Sequence, residues 1–162
     1  MRWDEFTKAC PDIGRLAEER FKKDELAMLG TLRKDGFPRI SPCEMDFTEG
    51  HLFLSMMWKS PKALDLSRDP RIVVHSVTCD KNGTDGDIKL YGRAIDINDS
   101  TLRSGFRDAI KARSNWAPPE PEYHLFSLDV ESASFVVFDG KGHEDVMTWD
   151  QVRGLQKRSK SG

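Results

Sequence analysis

Cysteine is scarce, with three residues (Cys10, Cys43 and Cys79) in a chain of 162. So sparse and odd a set builds no disulfide framework, and it fits a reducing, cytoplasmic compartment. Long apolar runs are missing. The longest, Leu26 to Leu29 and Phe135 to Phe138, hold four residues each, so no membrane association is expected. Charges run from Arg2 to Glu25, which leaves no stretch for a signal peptide. An excess of either charge is also missing: Lys and Arg total 25 against 27 Asp and Glu, a net charge of −2. Nucleic-acid binders usually carry a basic surplus, so no nucleic-acid partner is expected.

What is present suffices for a single domain over residues 1–162. Apolar residues make up 38% and charged residues 32%, and a chain of this length buries roughly two-thirds of its unfolded surface. An N-terminal segment (3–22) carries Trp3, Phe6, Ala9, Ile13, Leu16, Ala17 and Phe21 at helical spacing, with Pro11 dividing it near Cys10. Leu26 to Leu32 then reads as a strand. Asp35-Gly36 marks a hairpin, Phe37 to Phe47 a second strand, and Leu52 to Trp58 a third, together a three-stranded meander. Ser60-Pro61 opens a short helix that ends before Asp69-Pro70. Arg71 to Cys79 and Asp87 to Ile97 read as strands, and Ser100 caps a helix through Arg113. Residues 114–123 read as a plain connecting loop rather than a lid. Late strands fall at Leu125 to Val130 and Ser134 to Asp139, and Val146 to Leu155 is ambiguous. Short strands joined by tight turns predict a mainly β, antiparallel α+β fold, closing as a barrel or sandwich with helices outside.

Most catalytic patterns are missing. His75 and Cys79 lie four residues apart in a predicted strand, about 13 Å at strand rise, too far to share a metal ion. The Asp80 to Gly86 turn fits only the first positions of a calcium loop. Cys43 and Cys79 fall in predicted strands, where thiols are usually inert. There is no Gly-x-Ser-x-Gly elbow and no phosphate-binding glycine loop. His75 would be an acid–base candidate only if it faced a site.

One stretch is different. Ser60 and Lys62 stand at a helix start directly after the third strand, and Arg39 stands on the second strand. A helix start offers free N–H groups and a positive dipole end, which with Lys62 and Arg39 suits a terminal phosphate. Trp3, Phe6, Trp116 and Trp149 read as core or dimer-contact aromatics. The basic tail from Arg153 to Lys160 reads as a solvated end.

The runs Gly30-Thr-Leu-Arg-Lys-Asp-Gly-Phe-Pro-Arg-Ile-Ser-Pro-Cys43, Gly50-His-Leu-Phe-Leu-Ser55, Ser60-Pro-Lys-Ala-Leu-Asp-Leu-Ser-Arg-Asp-Pro-Arg71 and Lys89-Leu-Tyr-Gly-Arg-Ala-Ile95 resemble the pyridoxamine 5′-phosphate oxidase-like family. The good match covers residues 26–97. The resemblance implies an FMN-binding split β-barrel that dimerises, with two cofactors at the subunit interface. It implies that Arg39, Ile40, Ser41, Pro42 and Glu44 lie on the strand touching the flavin and its phosphate. Ser55 and Met56 match residues beside the ring, with Ser60 assisting and Lys62 matching a phosphate-binding lysine. Asp87 falls where some members place a glutamine near the flavin. Trp149 resembles a tryptophan that approaches the site from the partner subunit. The implied activity is an FMN-dependent oxidoreductase acting on a small molecule. A deazaflavin-dependent reductase, or a non-enzymatic binder of flavin or haem, is the alternative.

Overall fold

The structure is a computed structural model and describes residues 1–161. Two helices open the chain, α1 (Trp3–Ala9) and α2 (Pro11–Asp24). The division falls where Pro11 occupies the first helical position of α2 and Cys10 leaves helical geometry. The remaining elements are β1 (Ala27–Leu32), β2 (Pro38–Cys43), β3 (Met45–Thr48), β4 (His51–Met57), α3 (Pro61–Arg68), β5 (Arg71–Ser76), β6 (Asp87–Asp96), α4 (Ser100–Ser114), β7 (Tyr123–Phe138), β8 (His143–Asp150) and β9 (Gly154–Ser161). Among the described residues no helix is long and apolar enough to cross a membrane.

Every strand pairing is antiparallel. The main path runs β2-β1-β5-β6-β7-β4-β3, with β8 and β9 continuing from β7. The ladder is not closed by hydrogen bonds. Its two ends, β2 and β3, are nonetheless consecutive in the chain, separated by Glu44 alone. Residues 38–48 thus form one bent strand, pairing with β1 through its first half and β4 through its second. This is an open barrel, consistent with the α+β split-barrel expectation.

Several elements differ from expectation. The second strand divides at Glu44 because its halves serve different neighbours. The helix over residues 100–114 is capped by Asp99, whose carboxylate accepts from Leu102 N at 2.9 Å, rather than by Ser100. The two late strands are one long strand, β7. Its apolar alternation is broken at Glu131, which is left over where Tyr91 pairs with Ser132 and Gly92 with Val130. The basic tail has solvated side chains, as expected, but its backbone forms strand β9 on β8, with Lys157 Nζ 2.7 Å from Asp12 Oδ2.

Alternation fills the interior. Leu29, Leu54, Val74, Leu90 and Leu128 point inward and are fully buried. Phe6, Ile13 and Phe21 of the first two helices join the same cluster. Phe106 of α4 packs with Phe53 and Tyr123 on a second, smaller cluster.

Gly92 is fixed by the bulge. A Cβ there would stand 1.9 Å from the Asp129 carbonyl oxygen, a backbone atom with no room to yield. Gly92→Ala is expected to destabilise the fold by about 2–4 kcal/mol through overpacking at a central strand. Urea denaturation checks this, and a loss below about 1 kcal/mol would mean that β7 does not hold this register.

Candidate functional site

The turn from β4 into α3 is built by short-range chemistry. Lys59 takes a left-handed conformation at φ 56°, uncommon for a side-chain-bearing residue and a sign of local constraint. Its N–H donates to His124 Nε2 at 3.2 Å, and the His124 ring stacks on Trp58 at 4.7 Å. Ser60 N donates to the Met57 carbonyl, and the Ser60 carbonyl accepts from Leu64 N to begin α3. Ser60 does not cap with its side chain. Its hydroxyl oxygen is buried and has no partner, a rare and costly condition for a polar group. Lys62 Nζ donates to the Pro42 carbonyl, tying the start of α3 to the bent strand.

Between these parts lies a cleft of about 560 Å³, within the range of small-molecule sites. Pro42, Cys43 and Glu44 of the bend form one wall, and Ser55, Met56 and Met57 of β4 lie beside them. Ser60 and Lys62 mark the helix end, while Trp116, Pro118, Pro119 and Glu122 of the loop after α4 form the opposite side with Tyr123.

Of the residues singled out in the sequence, Pro42, Glu44, Ser55, Met56, Ser60 and Lys62 meet at this cleft. Arg39, Ile40, Ser41, Asp87 and Trp149 are not among the residues lining it. Arg39 lies behind the site, its Nε donating to Asp65 Oδ2 of α3 at 2.6 Å. Ile40 projects outward and is 65% exposed. Ser41 lies on β2 opposite Leu29. Asp87 on β6 pairs with Lys89 and lies 3.9 Å from His75 Nε2, so His75 is also outside the cleft. Trp149 is 4% exposed and packs edge-on against Phe6 within its own protomer, so it cannot reach another subunit without leaving the core.

The loop after α4, expected as a plain connection, lines the cleft, and Trp116, expected as a core or dimer-contact aromatic, is 62% exposed there and so is not core. The signal in the sequence was the run of prolines after Trp116, which stiffens the loop and holds apolar side chains at the surface.

Charges behind the site are organised by Asp65, on the buried face of α3. Burial raises the Asp65 carboxyl. Hydrogen bonds from Arg39, Arg68 and Thr31 outweigh it and hold the group below the ordinary carboxylate range. Burial pushes the Cys43 thiol up to about 11, which leaves it protonated and unreactive at neutral pH. Among the described residues no cluster of three or more His, Cys, Asp or Glu could hold a metal ion. The Asp80 loop is a hydrogen-bonded turn, its carboxylate accepting from Asn82, Thr84 and Asp85 N–H groups.

The fold and cleft define an open antiparallel barrel with a small-molecule site at the joint of its bent strand. The sequence profile of the family described as pyridoxamine 5′-phosphate oxidase matches residues 14–137. The chain belongs to the pyridoxamine 5′-phosphate oxidase family. No curated protein matches it in sequence. Among solved structures, it is similar to a protein related to general stress protein 26 from Clostridium acetobutylicum, with 19% identity and a TM-score of 0.63 over 86% of this chain and 96% of that one. It is similar to an FMN-binding, pyridoxamine 5′-phosphate oxidase-related protein from Nostoc punctiforme, with 14% identity and a TM-score of 0.63 over 94% and 97%. A haem-binding protein from Mycobacterium smegmatis matches at 14% identity and a TM-score of 0.56 over 90% and 87%. At such identities the likeness concerns the fold.

Because its pKa is depressed on folding, Asp65 contributes stability above its unfolded value, roughly pH 4, which is lost as pH falls through the folded value. Asp65→Asn should cost about 2 kcal/mol at neutral pH, by weakening the bonds to Arg39 and Arg68. The gap between variant and wild type should close as the solution is acidified below about pH 4. Chemical denaturation at a series of pH values reads this, and a gap that is constant with pH would contradict the assignment.

Proposed function

We propose that this chain binds FMN in the cleft and acts as an FMN-dependent oxidoreductase on a small organic molecule. The observation that carries the reading is the Ser60 hydroxyl, buried and unpaired on the wall that also holds Lys62. Leaving such a group unsatisfied costs about 1–3 kcal/mol, and a phosphate oxygen is the acceptor it lacks. The first amides of α3 add donors and the positive end of a helix dipole, the usual setting for a phosphate. In this reading Lys62 is the charge partner and Ser60 a donor. Pro61 occupies the intervening position, which in many family members is an arginine, so the cation here is Lys62 alone.

Arg39 acts as a positioning residue: through Asp65 it fixes α3 against β2. Main chain of Pro42, Ser55 and Met56 lies beside the ring, with Ser41 supporting β2. FMN, when bound, supplies the hydride transfer. The chain's own residues bind the phosphate, orient the ring and exclude water with Met56, Trp116 and Tyr123.

FMN is favoured over the alternatives by charge. One lysine against two glutamates, Glu44 and Glu122, lines the cleft. A single terminal phosphate suits that balance, whereas a deazaflavin's long acidic tail or the two propionates of haem call for more cations. A homodimer is part of the reading. Ile40, Gly30, Val73 and Tyr91 form a row across the outer face of β2, β1, β5 and β6. Ile40, Tyr91 and Ile95 are exposed on that face, with Arg93 between the last two, and Phe37 is exposed at the turn before β2, apolar groups of the kind that subunits cover. Pro42 belongs both to that face and to the cleft, which brings a cofactor to the subunit boundary. Asp87, on the same face of β6, enters the site only through the dimer.

Titration of the protein with FMN, followed by calorimetry, tests the assignment. Lys62→Ala should weaken binding at least tenfold, about 1.4 kcal/mol. A loss of less than about threefold, roughly 0.7 kcal/mol, would contradict it.

A further inference from the structure

The loop between α4 and β7 is tied down along its length. Arg107 Nε donates to the Pro118 carbonyl at 2.9 Å, and the single Ser114 hydroxyl proton lies between the Ile110 carbonyl at 2.9 Å and the Trp116 carbonyl at 3.1 Å. Arg103 grips Glu120 with two nitrogens, and Tyr123 Oη donates to the same carboxylate at 2.9 Å. A large indole held exposed on a fixed loop is an uncompensated apolar surface. Trp58, the other tryptophan of the cleft, is already engaged: His124 stacks on it, and Lys59 Nζ lies 6.0 Å from its ring centroid. Trp116 makes no aromatic or cation–π pair among the described residues, so its ring is available.

The charges beside it are one-sided. Glu122 and Glu44 line the cleft, and the arginines of α4 are all spent. Arg103 is on Glu120, Arg107 on a carbonyl, and Arg113 on buried Asp46. Lys62 is taken by the nucleotide phosphate in the reading above, on which this inference rests. Among the described residues, the side chains lining the cleft would then offer an entering anion two carboxylates and no free cation, the unpaired lysines nearby being Lys59 over Trp58 and Lys111 on α4, neither of which lines it.

We infer that Trp116 is the platform for the second substrate, and that this substrate is a planar, largely apolar aromatic molecule bearing no phosphate or carboxylate. Glu122 enforces the exclusion of anions. Stacking on the indole supplies affinity without regard to detailed hydrogen bonding.

Two probes of equal ring size decide the point: acridine, uncharged at neutral pH, and acridine-9-carboxylate. Their binding to protein held at saturating FMN is read by tryptophan quenching and calorimetry, with sedimentation as a control. Acridine should bind at least about tenfold more tightly than its carboxylate, from two repelling carboxylates at the cleft. Trp116→Ala should weaken acridine about fivefold or more, the usual scale of a lost aromatic stack. Glu122→Gln should narrow the gap between the probes while leaving acridine unchanged. Equal affinity of the two probes for the wild type, or unchanged acridine binding in Trp116→Ala, would overturn the inference while the flavin reading stands. A shift of Trp116→Ala to a smaller assembly with acridine affinity intact would overturn it too, by assigning the indole to a subunit contact. If FMN itself does not bind, the flavin reading fails. Acridine titration of the unloaded protein then decides the platform alone: loss on Trp116→Ala keeps it, and no loss removes it.

Discussion

The fold and the site both depend on one bent strand. Residues 38–48 supply both ends of the sheet, and the change of partner falls on Glu44. A continuous strand cannot hydrogen-bond to β1 and β4 along its whole length, because the two diverge around the barrel. The chain satisfies each with half of its length and opens a joint between them. That joint is the cleft wall. Cys43 Sγ reaches back to the carbonyls of Glu44 and Ser55, and Lys62 reaches across to Pro42, so the opening is braced rather than loose. Asp65, held by Arg39, Arg68 and Thr31, then locks α3 against β1 and β2.

Local signals in the sequence were strong wherever a residue has few conformational options. Pro11 and Pro61 mark the first positions of two helices, and Gly36, at φ 84°, marks the first hairpin. Signals failed where tertiary pairing decides. Nothing at Glu44 distinguishes a bent strand from a straight one. Glu131 reads as a strand end but is a bulge, since the register shift beside Gly92 is a property of two strands and not one. The candidate site divides in the same way. Ser60 and Lys62 could be found because helix-start chemistry is local. Arg39 was placed on the right strand, yet its role turns on Asp65, 26 residues away. Trp149 carried a family likeness, but its surroundings commit it to the core. Trp116 reads from the sequence as a core or dimer-contact aromatic because an isolated tryptophan is usually covered, and the loop's ties to α4 hold it exposed in the single chain.

Shared fold does not carry shared chemistry. Structures of this shape include a protein described as FMN-binding and another described as haem-binding. The cleft of this chain carries one lysine and an unpaired hydroxyl at the helix end, and two glutamates and a fixed indole elsewhere. The proposed flavin site draws on the first pair and the proposed choice of substrate on the second.

The direct test of the phosphate pocket compares two ligands that differ only by that group. Affinities of the unmodified protein for FMN and riboflavin are measured by calorimetry in one buffer. If Ser60, Lys62 and the start of α3 grip the phosphate, FMN binds at least about tenfold more tightly, a difference of ~1.4 kcal/mol or more. Equal affinities, or preference for riboflavin, would contradict the account.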